Sequence, residues 1–438
     1  MKYGQIVAVL LSIFVFVFLG YFFNRSQFTS LLLLYTIAFI CFLYLFKSNI
    51  SDNKLFKIGL LFRILFLLTT PFLSQDFYRF IWDGRLIAAG LNPYEFLPNQ
   101  ITNTIQIDQA SYLFDKMGSL SASHYSNYPP VNQFLFAVAG FFSGKSILGS
   151  IIIFRIIIIT ADIFIFVFGR RILVTLKQNT RNIFFYFLNP LVILELTGNL
   201  HFEGVMLLFL TLGFYFLDKL QTTKAAFLIA ISISIKLLPL LILPLFFKRL
   251  AFKKSVWFYF LVIFFNILFF FPFINASLIS NYLATISLWF TNFEFNSSFY
   301  YIVREVGFYV KGYNIIGVVG KIIPILTIAL VLFFSFFRNN KTTLSLIPNI
   351  LLVLTLYFFI STTVHPWYVI NLILLSVFTN FRFPLVWSLF VILSYYAYSV
   401  VPFKENLLLI FIEYFFVIGF FIYELRLNCK LKIPNNFL

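Results

Sequence analysis

Residues 74–98, SQDFYRFIWDGRLIAAGLNPYEFLP, hold the densest group of chemically capable side chains in the chain. Asp76, Arg79, Trp82, Asp83 and Arg85 follow directly on a long apolar run, and an Asn92-Pro93-Tyr94 turn comes after them. A carboxylate at the end of such a run can take a proton from a hydroxyl, a role typically worth ~10²–10⁴-fold in rate. An arginine near a membrane interface can grip a phosphate through two parallel hydrogen bonds, which makes Arg85 a candidate. Plainer roles stand beside these. Asp76 can cap a helix by accepting from its free N–H groups, and Arg79 with Asp83 can form an i,i+4 surface ion pair, the simpler account of Asp83.

A second cluster runs Asn189-Pro190, Glu195, Gly198, Asn199, His201, Glu203. One imidazole and two carboxylates at a tight turn can bind a sugar or steer a proton; the bland alternative is a helix-hairpin turn facing water. So many polar types inside an otherwise apolar stretch favour function. A third cluster, His365-Pro366-Trp367-Tyr368, sets an imidazole beside an aromatic wall suited to a pyranose ring, although Trp and Tyr also belong to interfacial belts. Lys236 beside Pro239, and Arg304, are the cations best placed for an anionic lipid head group; a solvated loop side chain is the alternative for Arg304. Asp76, His201 and His365 have residue types that could bind a metal, but their spacing gives no support, and no metal or other cofactor is expected.

The elements that position these groups are membrane helices. The chain is 61% hydrophobic and 11% charged, with mean hydropathy +0.96. Apolar runs near the ~20 residues that cross a bilayer fall at 5–23, 30–46, 57–74, 146–168, 182–198, 202–217, 256–274, 314–337, 343–361, 366–380, 383–400 and 406–425. A helical hairpin, 225–235 with 237–247, enters and returns, with Lys236 and Pro239 at its break. The runs are continuous and not alternating, which favours helices over a barrel. The expectation is an all-α integral membrane bundle of about 13–14 transmembrane helices, forming one polytopic domain over 1–438. The first run reads as a retained span and not a removable signal.

The formal charge of +17 sits mostly in loops 47–57, 170–181, 219–224, 248–254 and 338–341 and at both termini. The intervening segments 24–29, 75–130, 275–313 and 401–405 are poorer in cations for their length. That alternation is the positive-inside pattern. It puts both termini in the cytoplasm and the long loops 75–130 and 275–313 outside, and it argues against nucleic acid as a partner. All three histidines, His124, His201 and His365, then fall at the outer face with Asp76 and Glu203. Ionisable groups at that boundary are costly and are functional candidates by default. Within the first outer loop, Phe77, Phe80, Ile81, Leu86 and Ile87 have the spacing of a short amphipathic helix ended by Gly90 and Asn92-Pro93. Segment 131–143 is too short to cross. Cys41 in a span and Cys429 in the tail are not placed to pair.

The motifs Asp76-x-Tyr78-Arg79-x-x-Trp82-Asp83-Gly84-Arg85 and Gly90-x-Asn92-Pro93-Tyr94 resemble the first outer loop of polyprenyl-phosphate-mannose-dependent mannosyltransferases of the GT-C class. Tyr128-Pro129-Pro130, Asn189-Pro190, Gly198-Asn199-x-His201-x-Glu203, Lys236-x-x-Pro239 and His365-Pro366-Trp367-Tyr368 follow in the order of that group, so the resemblance runs from about 57 to 380. It implies a multi-pass glycosyltransferase of the bacterial inner (plasma) membrane with its site facing the periplasm or exterior. The donor would be a polyprenyl-phosphate sugar, most simply mannose, and the acceptor a glycolipid or glycan hydroxyl among membrane lipids. Asp76 would be the general base of an inverting transfer. Substrate contacts would come from Arg79, Asp83, Arg85, Tyr128, Asn199, His201, Glu203, Lys236, Arg304, His365, Trp367 and Tyr368. Two extra spans before Asp76 depart from a simpler arrangement in which the acidic loop follows the first span. A transporter or flippase of lipid-linked sugar is the competing reading; the clustering of polar residues at one face, away from the midplane, weighs against it.

Overall fold

The computed structural model describes residues 1–430. Among the described residues the fold is helical, with no strand beyond an isolated bridge between Phe295 and Thr363. Seven helices are long and apolar enough to cross a membrane: Tyr3–Tyr21, Phe28–Lys47, Ile147–Thr175, Phe252–Phe273, Ile316–Phe337, Thr343–Ile360 and Leu407–Leu427. An eighth apolar unit, Pro190–Gly198 with Glu203–Asp218, is bent by 113°. Five shorter apolar helices complete the bundle: Pro130–Phe142, Thr222–Ile235, Leu278–Leu288, Pro366–Val377 and Phe383–Ser399. The chain is therefore an all-α, multi-pass membrane protein, as its composition leads one to expect, but several of its expected spans are short or broken. Cys41 is buried and free; the side chain of Cys429 lies outside the described part.

The elements that carry the site are α1 (Tyr3–Tyr21), α2 (Phe28–Lys47), α3 (Asp52–Ile64), α4 (Asp76–Ala88), α5 (Pro130–Phe142), α6 (Ile147–Thr175), α7 (Glu203–Asp218) and α8 (Thr222–Ile235). The run expected to cross at 57–74 gives only α3, followed by a turn. Pro71 removes a donor and disfavours helix just before it. The freed carbonyls of Leu67 and Thr69 accept from Arg155 of α6. The base of α3 is clamped to α6 by a buried ion pair, Arg63 Nε to Asp162 Oδ2 at 2.6 Å, with the Tyr186 hydroxyl donating to Asp162 at 2.7 Å. Such a pair survives burial only with further hydrogen bonds around it. The Arg63 guanidinium accordingly also donates to the carbonyls of Gly59 and Phe187.

Helix α4 forms where the apolar spacing places it, with Phe77, Phe80, Ile81 and Leu86 buried. Its other side is covered too, so Arg79, Asp83 and Arg85 are buried where the sequence suggests a solvated face. The cause is α5, with Pro130 at its first turn, which lies across α4 at Gly84 and Gly140. A methyl on Gly84 would fall onto the Phe136 carbonyl oxygen, and one on Gly140 onto the Gly84 carbonyl oxygen. The two glycines therefore let two backbones touch. Segment 131–143, too short to cross alone, is the lid that closes the polar side of α4.

Candidate active site

Five stretches distant in sequence meet at the end of the bundle where α4 begins: Asp76, the Glu195–Glu203 corner, Lys236, His365–Tyr368 and Tyr395. The corner is the bent unit. Ile193–Gly198 is a π-helix, Leu200 is fully buried in the left-handed region at φ 66°, and α7 starts at Glu203. Non-glycine residues held there carry ~1–3 kcal/mol of strain and gather at functional sites. Arg155, fully buried, fixes the corner. Its guanidinium donates to the carbonyls of Thr197 (2.9 Å) and Gly198 (3.1 Å) on one side, and of Leu67 (3.1 Å) and Thr69 on the other.

Within the corner, Glu195 accepts from the Tyr395 hydroxyl at 2.5 Å and from Asn199 Nδ2 at 3.2 Å, and His201 Nε2 lies 3.5 Å from its Oε2. Asn199 Oδ1 in turn accepts from the Leu73 amide at 3.1 Å, tying the corner to the approach to Asp76. Glu203, at the first turn of α7, is ion-paired with Lys236, which is extended (φ −146°, ψ 141°) between α8 and the short helix Leu238–Ile242. Helix α8 is ~21 Å long at 1.5 Å per residue, enough to carry Lys236 deep into the bundle. The chain then comes back through the 3-10 segment Leu243–Arg249.

The aromatic wall is built on Trp367. The His201 ring stacks on it with centroids 3.7 Å apart, and the His365 ring stacks at 4.3 Å with a 7° tilt. Tyr368 stands edge-on to His365 at 5.3 Å.

Asp76 opens α4, but Gln75 holds the capping position and no side chain makes a cap bond there, so the capping alternative for Asp76 loses its ground. The Ser74 hydroxyl accepts from its amide at 3.2 Å. Asp76 is half-buried, with part of its surface open, among the groups of the corner. Burial raises its pKa to about 6; Lys236 draws it down and Glu203 adds to the rise. Burial, then Lys236, pushes His365 down to about 3, which leaves a neutral imidazole. Tyr128 lies within electrostatic reach of both Asp76 and Glu203, and with Lys236 and Tyr368 it is among the partly open side chains around the crevice. Among the described residues, Glu203 Oε2 and His365 Nδ1 are buried with no hydrogen-bond partner. Buried polar atoms are rarely left so, and hydroxyls of a bound sugar would satisfy both. No three His, Cys, Asp or Glu side chains among the described residues gather as metal ligands.

The remaining cations expected at the site have other partners. Arg79 donates to Asp83 at 2.8 Å and to the carbonyls of Ser121 and His124, so His124 belongs to the loop that Arg79 holds. Asp83 also accepts from Ser126 (2.6 Å) and Gln133 (3.0 Å), which makes the pair a buried strut and not a surface pair. Arg85 donates to the Asp108 carbonyl, to Gln109 Oε1 (3.0 Å) and to the Lys145 carbonyl (3.3 Å). Arg304 is held by Glu294 (2.7 Å) and Glu305 (2.9 Å) over the Tyr301 ring. Two residues of the cluster escape a reading of the sequence: Tyr395, hidden in an apolar run, and Arg155, whose position inside IIIFRIIII is itself the signal that could have found it.

Alpha-(1->6)-mannopyranosyltransferase B of Corynebacterium glutamicum is 28% identical to this chain over 166 residues, which are 36% of this chain and 26% of the relative. The match thus spans about a quarter of that relative's length. Residues 13–251 match the family model described as the N-terminal domain of alpha-(1->6)-mannopyranosyltransferase, a stretch that holds Asp76, the 195–203 corner and Lys236 and stops short of His365. Since that stretch is more than half of its length, the chain belongs to the alpha-(1->6)-mannopyranosyltransferase family.

Proposed function

We propose that the protein transfers a mannosyl unit from a polyprenyl-phosphate donor to a hydroxyl of a glycolipid or glycan, with inversion, at the outer face of a bacterial plasma membrane. The observation that carries this reading is a partly open carboxylate, Asp76, within electrostatic reach of Lys236, Glu203 and Tyr368, with Tyr368 standing edge-on to His365 of the imidazole–indole stack. Asp76 takes the proton of the acceptor hydroxyl as its oxygen bonds to the anomeric carbon. The bond from that carbon to the phosphate oxygen breaks, and polyprenyl phosphate leaves with the electron pair. Lys236 acts electrostatically on Asp76 and would offset charge as it develops, the kind of stabilisation that contributes most in a water-poor site. The stacked His201–Trp367–His365 wall offers a flat surface to a pyranose ring. Glu203 and His365 orient its hydroxyls through the atoms that have no partner in the protein. The reaction so written requires neither metal nor nucleotide. The family membership and the mannopyranosyltransferase activity of the relative support mannose as the sugar.

The test uses purified protein in lipid nanodiscs, radiolabelled polyprenyl-phosphate-mannose and a crude membrane glycolipid pool. Wild type forms labelled product, and Asp76→Asn loses ~10²–10⁴-fold of the rate. Equal product from both moves the base to His201, Glu203 or His365. No covalent product, but counterflow of the lipid-linked sugar, replaces the transferase with a transporter.

A further inference from the structure

At the same end of the bundle, Arg25 makes no hydrogen bond or ion pair among the described residues. Helix α1 ends at Tyr21 and the chain turns through 22–27 into α2. Facing that turn is the bend that follows α3. Between them lies a cleft of about 550 Å³ lined by Tyr21, Asn24, Arg25, Thr69, Thr70 and Phe72, among others. Its walls are fixed. The Tyr21 hydroxyl donates to the Leu65 carbonyl at 3.2 Å, Phe23 meets Phe72 edge-on at 5.6 Å, and Gly20 leaves room for Thr69 and Phe66.

The far side of this cleft is the active-site corner. Phe66 and Phe72 lie against Gly198, the Leu73 amide donates to Asn199, and Arg155 holds Leu67 and Thr69 from beneath. Tyr398 lies within electrostatic reach of both Arg25 and Asp76, which links the two places. Arg25 is exposed and, among the described residues, makes no hydrogen bond or ion pair. That sets it apart from Arg79, Arg85, Arg155 and Arg304, each of which donates to carbonyl, amide or carboxylate oxygens. The Arg25 guanidinium, the exposed Thr70 hydroxyl and the Asn24 amide are the donors left open in this cleft, a set suited to phosphate oxygens. The exposed Phe14 and Phe22 give an apolar track beside it for an attached chain.

We propose that the cleft between the α1–α2 turn and the 66–72 bend receives the phosphate of a lipid-borne phosphate ester, with Arg25 as its cation, and delivers the attached sugar to the crevice of Asp76. This rests on the lipid-phosphate donor reading above and adds the place where the phosphate docks. Lys236 then serves the transfer step, while Arg25 serves capture.

The experiment measures equilibrium binding of radiolabelled polyprenyl monophosphate to the full-length protein in zwitterionic nanodiscs. It compares wild type, Arg25→Gln, Arg25→Glu and Asp76→Asn. Arg25 is exposed, so its variants fold, and unchanged thermal unfolding verifies this. Removing a charged hydrogen-bond partner weakens binding ~10–100-fold for Arg25→Gln, with a larger loss for Arg25→Glu and wild-type affinity for Asp76→Asn. Equal affinity for all the Arg25 variants overturns the proposal. Displacement of the label by millimolar inorganic phosphate overturns the lipid-borne part, and displacement by phosphatidylglycerol at equal mole fraction reduces the cleft to a general anionic surface. Failure of the two readings can be told apart: Arg25-dependent binding without mannosyl transfer refutes the transferase and keeps the cleft, whereas transfer with wild-type KM in Arg25→Gln does the reverse.

Discussion

Asp83→Asn tests whether the Asp83 strut holds α4 together or touches substrate. Asp83 and Arg79 are 0% and 2% exposed, and the Asp83 carboxylate accepts from Arg79 Nε at 2.8 Å, Ser126 Oγ at 2.6 Å and Gln133 Nε2 at 3.0 Å. Asparagine offers one acceptor oxygen where the carboxylate offers two. Whichever way the amide turns, its NH2 group faces a donor, and the Arg79 charge is left buried without a counter-ion. Breaking one partner of a buried pair typically costs ~3–5 kcal/mol. At roughly 2 °C per kcal/mol for a large chain, the midpoint of thermal unfolding falls on the order of 5–10 °C. The assay is thermal unfolding of the purified protein in detergent, with donor KM measured well below the new midpoint. The double variant Arg79→Met/Asp83→Leu removes both charges and unfolds no earlier than Asp83→Asn, because apolar replacement of a whole buried pair is often neutral. A normal unfolding midpoint in Asp83→Asn together with a raised donor KM would refute the strut and return Asp83 to the substrate.

Three further outcomes are expected. Gly84→Ala and Gly140→Ala drive a methyl into the facing backbone and destabilise by ~1–3 kcal/mol, whereas Gly317→Ala, whose surroundings are open, is neutral or slightly stabilising; thermal unfolding separates the three. Asp76 must be ionised to accept a proton, so kcat/KM is full above its raised pKa of about 6 and falls as pH drops through it, about tenfold per unit; a profile flat down to pH 4.5 would remove Asp76 as the base. Trp367→Ala takes away the ring between His201 and His365 and raises donor KM ~10-fold through lost stacking, while the acid limb of the pH profile stays in place.

Much of the site is legible in the sequence because charge is scarce. Asp76, Glu203, Lys236, His201 and His365 stand out against apolar neighbours, and positive-inside counting already puts all but Lys236 at one end. The structure brings these five together, Lys236 by way of a hairpin whose break the sequence marks with Pro239. What the sequence hides is which arginines are already occupied. Arg79, Arg85 and Arg155 are held largely by main-chain carbonyls, and a carbonyl has no letter of its own. A cation waiting for substrate and one sewing two loops together therefore read alike. Helix length is hidden for a related reason: 57–74 is apolar enough to cross, but the helix ends at Ile64 and the turns that follow give the carbonyls of Leu67 and Thr69 to Arg155.

Arg155 has one more consequence. Every bond it makes at the corner ends on a main-chain oxygen, of Thr197, Gly198, Leu67 or Thr69. The grip is thus indifferent to which side chains those positions carry. Residues facing the crevice and the cleft can drift, and with them the preferred sugar or acceptor, while the frame that aligns them stays in register. A corner hung from its backbone in this way is a scaffold on which specificity can evolve without the fold being rebuilt.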